Sequence, residues 1–164
     1  MFKCGVILGF LFISLTSFLP GSLLKKEFDK AGYYAVLSSE KIDEINLQLQ
    51  SLKEMVFNEK DAYEGALLMK KSGLVGNAKE KLSLFKNGRQ KLESSIKKET
   101  RNIEYRFLRI IIQEHAPKVV KYRNELEEDS QLVISQYKNL PQFLQQVIND
   151  YSKKSKVLKN LQDQ

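Results

Sequence analysis

Between Asn77 and Gln113 the apolar residues recur at helical spacing in two successive runs, and this stretch limits what the rest of the chain can build. The first run spans Asn77 to about Lys98. Leu82, Phe85, Leu92 and Ile96 follow one another at offsets of 3, 7 and 4, one face of a 3.6-residue period. Asn77 and Glu80 stand in capping-box spacing at its start. Gly88 lies on the apolar face, where a glycine costs a helix roughly 1 kcal/mol relative to alanine. Its expected return is the close approach of a neighbouring helix.

The second run spans Asn102 to about Gln113, with Asn102 as N-cap. Ile103, Phe107, Ile110 and Ile111 form one stripe, and Tyr105, Leu108 and Ile112 a second. Two apolar stripes predict burial on two sides. Arg106, Arg109 and Gln113, at i, i+3 and i+7, are left as a polar face. A helix held between neighbours, with one polar stripe, is what stacked helical repeats produce.

These residues resemble a tetratricopeptide-type repeat. Gly88 and Ser95 take its small-residue places, and Leu92 and Ile96 its apolar ones. Tyr105, Leu108 and Ile112 match the aromatic, leucine and tyrosine places of the following unit. Thr100 stands where the motif usually has proline, Arg109 replaces its glycine, and the Gly73 to Asn77 connection is longer than the motif allows. Ala62, Tyr63 and Ala66 suit a preceding first helix. The match covers about a fifth of the chain. The resemblance implies helical hairpins stacked antiparallel, as a short solenoid or bundle, with the first helix of each unit lining a groove. Arg106, Arg109 and Gln113 are then the candidate partner-binding residues, because arginine can grip a peptide carboxylate bidentately.

Residues 1–22 read as a separate unit. Lys3 precedes sixteen uncharged residues, Cys4 to Leu19, and then Pro20, Gly21 and Ser22. That order is the layout of a secretory signal peptide, and the apolar run is short for a membrane span, which needs about 20 residues. The mature chain is expected to begin between Phe18 and Lys25. An uncleaved N-terminal membrane anchor is the alternative, with membrane contact through residues 1–22. The single cysteine, Cys4, lies in this segment, so an exported remainder is held by its core without disulfides.

Residues 23–164 are expected to form one all-α domain. Three prolines, eight glycines and a 42% apolar fraction favour helix and permit a core. Gly32 should interrupt a short first helix, and Ser38 and Ser39 should cap a second that carries Ile42, Ile45, Leu49, Leu52 and Val56. Asn58 should open a third, ended by the Gly73 to Gly76 loop. Pro117 should end the helix before it. Beyond it, Glu125, Glu127, Glu128 and Asp129 read as a solvated face. Phe143, Leu144, Val147, Ile148, Tyr151 and Leu158 suit a terminal helix, with Asn160 to Gln164 fraying.

His115 is the sole histidine. It reads as a surface imidazole at a helix C-terminus, where positive charge is favourable, and not as a general base. The net charge of +7 gathers between Lys70 and Arg101. Such a segment suits an anionic lipid or cell-wall polymer. Export, with no zinc-finger or RNP spacing, gives no expectation of nucleic acid. No phosphate-binding loop is present, and neither cofactor nor metal is expected. The functional expectation is a non-enzymatic, exported helical-repeat module at a bacterial envelope, periplasmic or envelope-associated, that binds another protein or peptide or gives structural support. The alternative is a membrane-tethered bundle whose basic face meets lipid or wall polymer.

Overall fold

The computed structural model describes residues 28–163, and among them the regular structure is wholly helical. Seven α-helices follow in order: α1 Lys30–Ser38, α2 Ile42–Glu54, α3 Lys60–Leu74, α4 Ala78–Lys98, α5 Ile103–His115, α6 Leu126–Gln136 and α7 Gln142–Ser152. Short 3-10 turns lie at Lys118–Val120, Tyr137–Asn139 and Lys159–Asp163. The expected signal or anchor, residues 1–22, lies outside the described residues. No described helix is long and apolar enough to cross a membrane.

Local chemistry explains the helix ends. Asn77 and Asn102 cap α4 and α5, their side chains accepting from the N–H groups of Glu80 at 3.0 Å and Tyr105 at 3.2 Å. Gly32 does not interrupt its helix. Asp29 accepts from the Gly32 N–H at 3.0 Å and makes that glycine part of the first turn of α1. Ser38 and Ser39 do not cap α2 as expected. They end α1, while Ser39 Oγ accepts from Lys41 N–H and donates to Glu44. Helix α2 stops at Glu54, which leaves Val56 82% exposed. Lys60 then closes the connection by donating to the carbonyls of Lys53 and Met55, so α3 starts two residues later than Asn58 suggested.

Helices α3 and α4 run antiparallel through a glycine contact. A methyl group added to Gly65 would lie 2.7 Å from Gly88 O and 2.8 Å from Leu92 N. One added to Gly88 would lie 2.6 Å from Gly65 O and 2.9 Å from Met69 N. Backbone thus meets backbone where any side chain would hold the helices apart. Lys91 seals the flank of the contact by pairing with Asp61 at 2.7 Å and Glu64 at 3.3 Å.

Helix α5 sits at the centre. Tyr105, Phe107, Leu108 and Ile110 are fully enclosed, while Ile111 is only half-buried. Beyond α5, Pro117 ends the helix as expected. Leu158 is buried although it lies past the end of α7, and Leu161 is 7% exposed, so the chain packs down at Leu161, beside exposed Asn160, where fraying was expected.

Candidate functional site

Helix α5 was expected to leave one polar face open, and the structure closes that face. Arg109 Nε lies 2.7 Å from Asp129 Oδ2, and its Nη2 lies 2.9 Å from Oδ1, a bidentate pair onto α6. Its Nη1 donates to Glu93 of α4 at 2.8 Å. Arg106 donates to the same Asp129 at 3.0 Å and to the Thr100 carbonyl at 3.1 Å. Gln113 is completely buried and donates to Glu125 at 2.9 Å. Asp129 is completely buried too and Glu125 is half-buried, while Glu127 and Glu128 are exposed, so the acidic run at the start of α6 is a solvated face only in part. Arg106, Arg109 and Gln113 therefore do not line an open groove. Helix α6 covers them, and Asp129, Glu125, Glu93 of α4 and the Thr100 carbonyl take their donors, Arg106 Nε excepted.

Burial acts to lower the Arg109 pKa, but the Asp129 hydrogen bond and the charges of Asp129 and Glu93 outweigh it, and the guanidinium stays charged. Tyr122 adds a phenol donating to Glu93, and burial, followed by the Glu93 charge, pushes its pKa well up. These contacts join α4, α5, α6 and the loop before α6 in one internal network.

An accessible hollow lies elsewhere. A cleft of about 310 Å³ opens between the end of α1 (Leu37, Ser38), the last turns of α3 (Met69, Lys70, Ser72), Phe85 of α4, the end of α5 (Ile111, Ile112, His115) and Tyr151 of α7. A second hollow, of about 200 Å³, shares Ser38, Ile111, Tyr151 and Lys154 with it and extends the space towards Tyr34, Phe107 and Val147. The floor is apolar and the rim is charged. Lys70 and Glu40 pair across it at 2.8 Å, and the Lys70 hydrogen bond and charge hold the Glu40 carboxyl below its ordinary value. Lys154 Nζ stands 5.5 Å above the Tyr151 ring and takes no carboxylate among the described residues.

Tyr151 is locked in place by donating to Glu114 Oε2 at 2.8 Å. Burial, reinforced by the Glu114 hydrogen bond, raises its pKa, so the hydroxyl stays neutral at physiological pH. His115 lies at the C-terminal end of α5, exposed, with Nδ1 2.8 Å from the Ile111 carbonyl. Donation from Nδ1 leaves Nε2 as an acceptor in the neutral ring. The two cleft serines, Ser38 and Ser72, form no hydrogen bond with it, and Ser72 donates instead to the Met69 carbonyl. The arrangement supplies apolar burial together with cationic donors at the edge. It matches an apolar group that carries a nearby carboxylate.

The residues of the cleft come from separate segments between Leu37 and Lys154. No linear spacing relates them, so periodicity offered no signal for the site. Among the described residues no cluster of three or more His, Cys, Asp or Glu side chains could hold a metal ion. No protein-family model matches the chain, and comparison with curated proteins and with solved structures gives no match.

Proposed function

We propose that the chain is a non-enzymatic helical interaction module that holds a short segment of a partner protein outside the cytoplasm, at a bacterial envelope. The observation that carries this reading is the continuous cleft along α1, α3, α5 and α7, with an apolar floor and, at its rim, Lys154, which meets no carboxylate among the described residues. An apolar side chain beside an acidic residue or a C-terminal carboxylate suits both features. The antiparallel α3 and α4 pair, joined through Gly65 and Gly88, supports a tetratricopeptide-like hairpin, and α5 takes the place of the next unit's first helix. Arg109 departs from that motif's glycine because it has an internal task, the Asp129 and Glu93 pairing.

Site-specific photo-crosslinking in the native host tests the cleft. A benzophenone residue in place of Ser38, exposed and lining both hollows, should give a discrete protein adduct, and one in place of Lys53, on α2 and outside the cleft, should not. Adducts of equal yield at both positions, or none at Ser38, would count against the cleft as the binding site. The export part rests on Lys3, the apolar run and Pro20-Gly21-Ser22. N-terminal sequencing should find a chain starting between Phe18 and Lys25. Recovery with Met1 in a membrane fraction would support the anchored alternative, and soluble cytoplasmic protein retaining Met1 would overturn both.

A further inference from the structure

We propose that one face of α4 and the turn after Pro117 together form a second contact surface, which docks on an anionic lipid bilayer. The turn is rigid. Val120 N–H donates to the Pro117 carbonyl and Lys121 N–H to the Lys118 carbonyl, each at 3.1 Å. Lys121 is left-handed, with φ 47°. The turn holds Val119 out between Lys118 and Lys121, 84% exposed. Tyr122 anchors it to α4, with its buried ring edge-on to Phe85 at 5.6 Å and Arg89 stacked 4.7 Å above.

On α4, Leu82, Lys86 and Arg89 follow at i, i+4 and i+7, so they share the face that flanks Phe85. Leu82 is 52% exposed, and Lys86 and Arg89 are exposed too. Lys86, Lys118 and Lys121 form no ion pair among the described residues, as is true of most of the lysines outside Lys30, Lys41, Lys70, Lys91 and Lys153. What sets these three apart is their place, Lys86 one turn from exposed Leu82 and Lys118 and Lys121 on either side of exposed Val119.

One exposed leucine or valine is ordinary. The combination with unpaired lysines on a rigid rim is what selects the occupant. A nucleic-acid backbone would use the lysines and gain nothing from Val119 or Leu82. A bilayer interface uses both: lipid phosphates meet the ammonium groups, while the aliphatic side chains enter the acyl boundary. The surface borders the cleft, which Phe85 and Pro117 also line, but its cations are not Lys70 and Lys154 of the cleft rim, so each can be tested without the other.

The chain has no tryptophan, which makes Val119→Trp a single reporter in the full-length protein. With vesicles of mixed phosphatidylglycerol and phosphatidylcholine, its emission should shift to the blue, and more than with phosphatidylcholine alone. Sedimentation with the anionic vesicles should weaken by about five-fold for each of Lys86→Gln, Lys118→Gln and Lys121→Asn, asparagine being chosen because it tolerates the left-handed backbone. Raised salt should weaken wild-type binding in the same way. Sedimentation with phosphatidylcholine alone reads any charge-independent attachment through the apolar N-terminal stretch, and only the excess on anionic vesicles is compared between variants. Unchanged Val119→Trp emission on anionic vesicles would overturn the proposal. So would a triple-lysine variant that sediments like wild type, or a DNA oligonucleotide bound equally by wild type and Val119→Ser and able to displace the vesicles.

Discussion

Arg109 and Asp129 show how little a charge reveals of its surroundings until its partner is placed. The Arg109 side chain is 4% exposed and that of Asp129 is fully buried. Taking both ions out of water is costly, and their attraction offsets that cost only because the geometry is bidentate and Glu93 and Arg106 complete the set. Such a group gains little over an apolar replacement of the same shape, but it cannot lose one member cheaply. Asp129→Asn leaves two guanidinium groups short of a counter-charge, and it should lower stability by about 3–5 kcal/mol. Arg106→Ala, at a side chain 13% exposed, should cost clearly less, because Arg109 still neutralises Asp129. Urea unfolding of the two variants measures the difference. Equal and small losses would mean that water reaches the pair.

At the scale of elements, the glycines of α3 and α4 separate helix propensity from packing. Gly73 lies within α3 and has no atom within 4 Å of where a methyl group would stand. Gly73→Ala should therefore stabilise by about 0.5–1 kcal/mol. Gly88→Ala has the same propensity gain, but its methyl group would lie 2.6 Å from the Gly65 carbonyl oxygen. Forcing the helices apart should cost about 1–3 kcal/mol net, so the two alanine variants should move the thermal midpoint in opposite directions. The Gly88 contact was readable in advance because a glycine on an apolar helical face calls for a close neighbour. The caps at Asn77 and Asn102 and the stripes of α5 were readable for a similar reason, since each depends on residues within a turn of one another. The closing of the Arg106, Arg109 and Gln113 face was not. Their partners lie on α4 and at the start of α6, at sequence separations from 12 to 23, and an acidic run looks the same whether it faces water or an arginine. Leu82 kept the helical period yet stays exposed, because periodicity gives a direction and not the presence of a neighbour to fill it.

Across the whole molecule, buried phenols paired with carboxylates tie the outer helices to the inner ones. Glu104 of α5 accepts from Tyr34 of α1 at 3.1 Å and Tyr63 of α3 at 2.8 Å, and takes Lys30 at 2.7 Å. Glu114 accepts from Tyr151 of α7, and Glu93 of α4 from Tyr122. Tyr33 completes the set by donating to the Tyr63 carbonyl at 2.9 Å. Burial, first, and then the charge of a neighbouring carboxylate, or for Tyr151 its hydrogen bond to Glu114, raise the pKa of Tyr33, Tyr34, Tyr63, Tyr105, Tyr122 and Tyr151, six of the seven tyrosines of the chain. An acid whose folded pKa is raised binds more protons in the native state than in the unfolded one at pH values above its ordinary value, which is near 10. The stabilising contribution is therefore constant at neutral pH, fully present below about pH 10, and lost as the pH rises beyond it. Two probes should move together: the absorbance rise of ionising tyrosine at 295 nm and the loss of helical circular dichroism should coincide in one cooperative alkaline transition. Ionisation of most tyrosines while the helices persist would show that solvent reaches these hydroxyls, and the phenol–carboxylate pairs could not then be what joins α1, α3 and α7 to the centre.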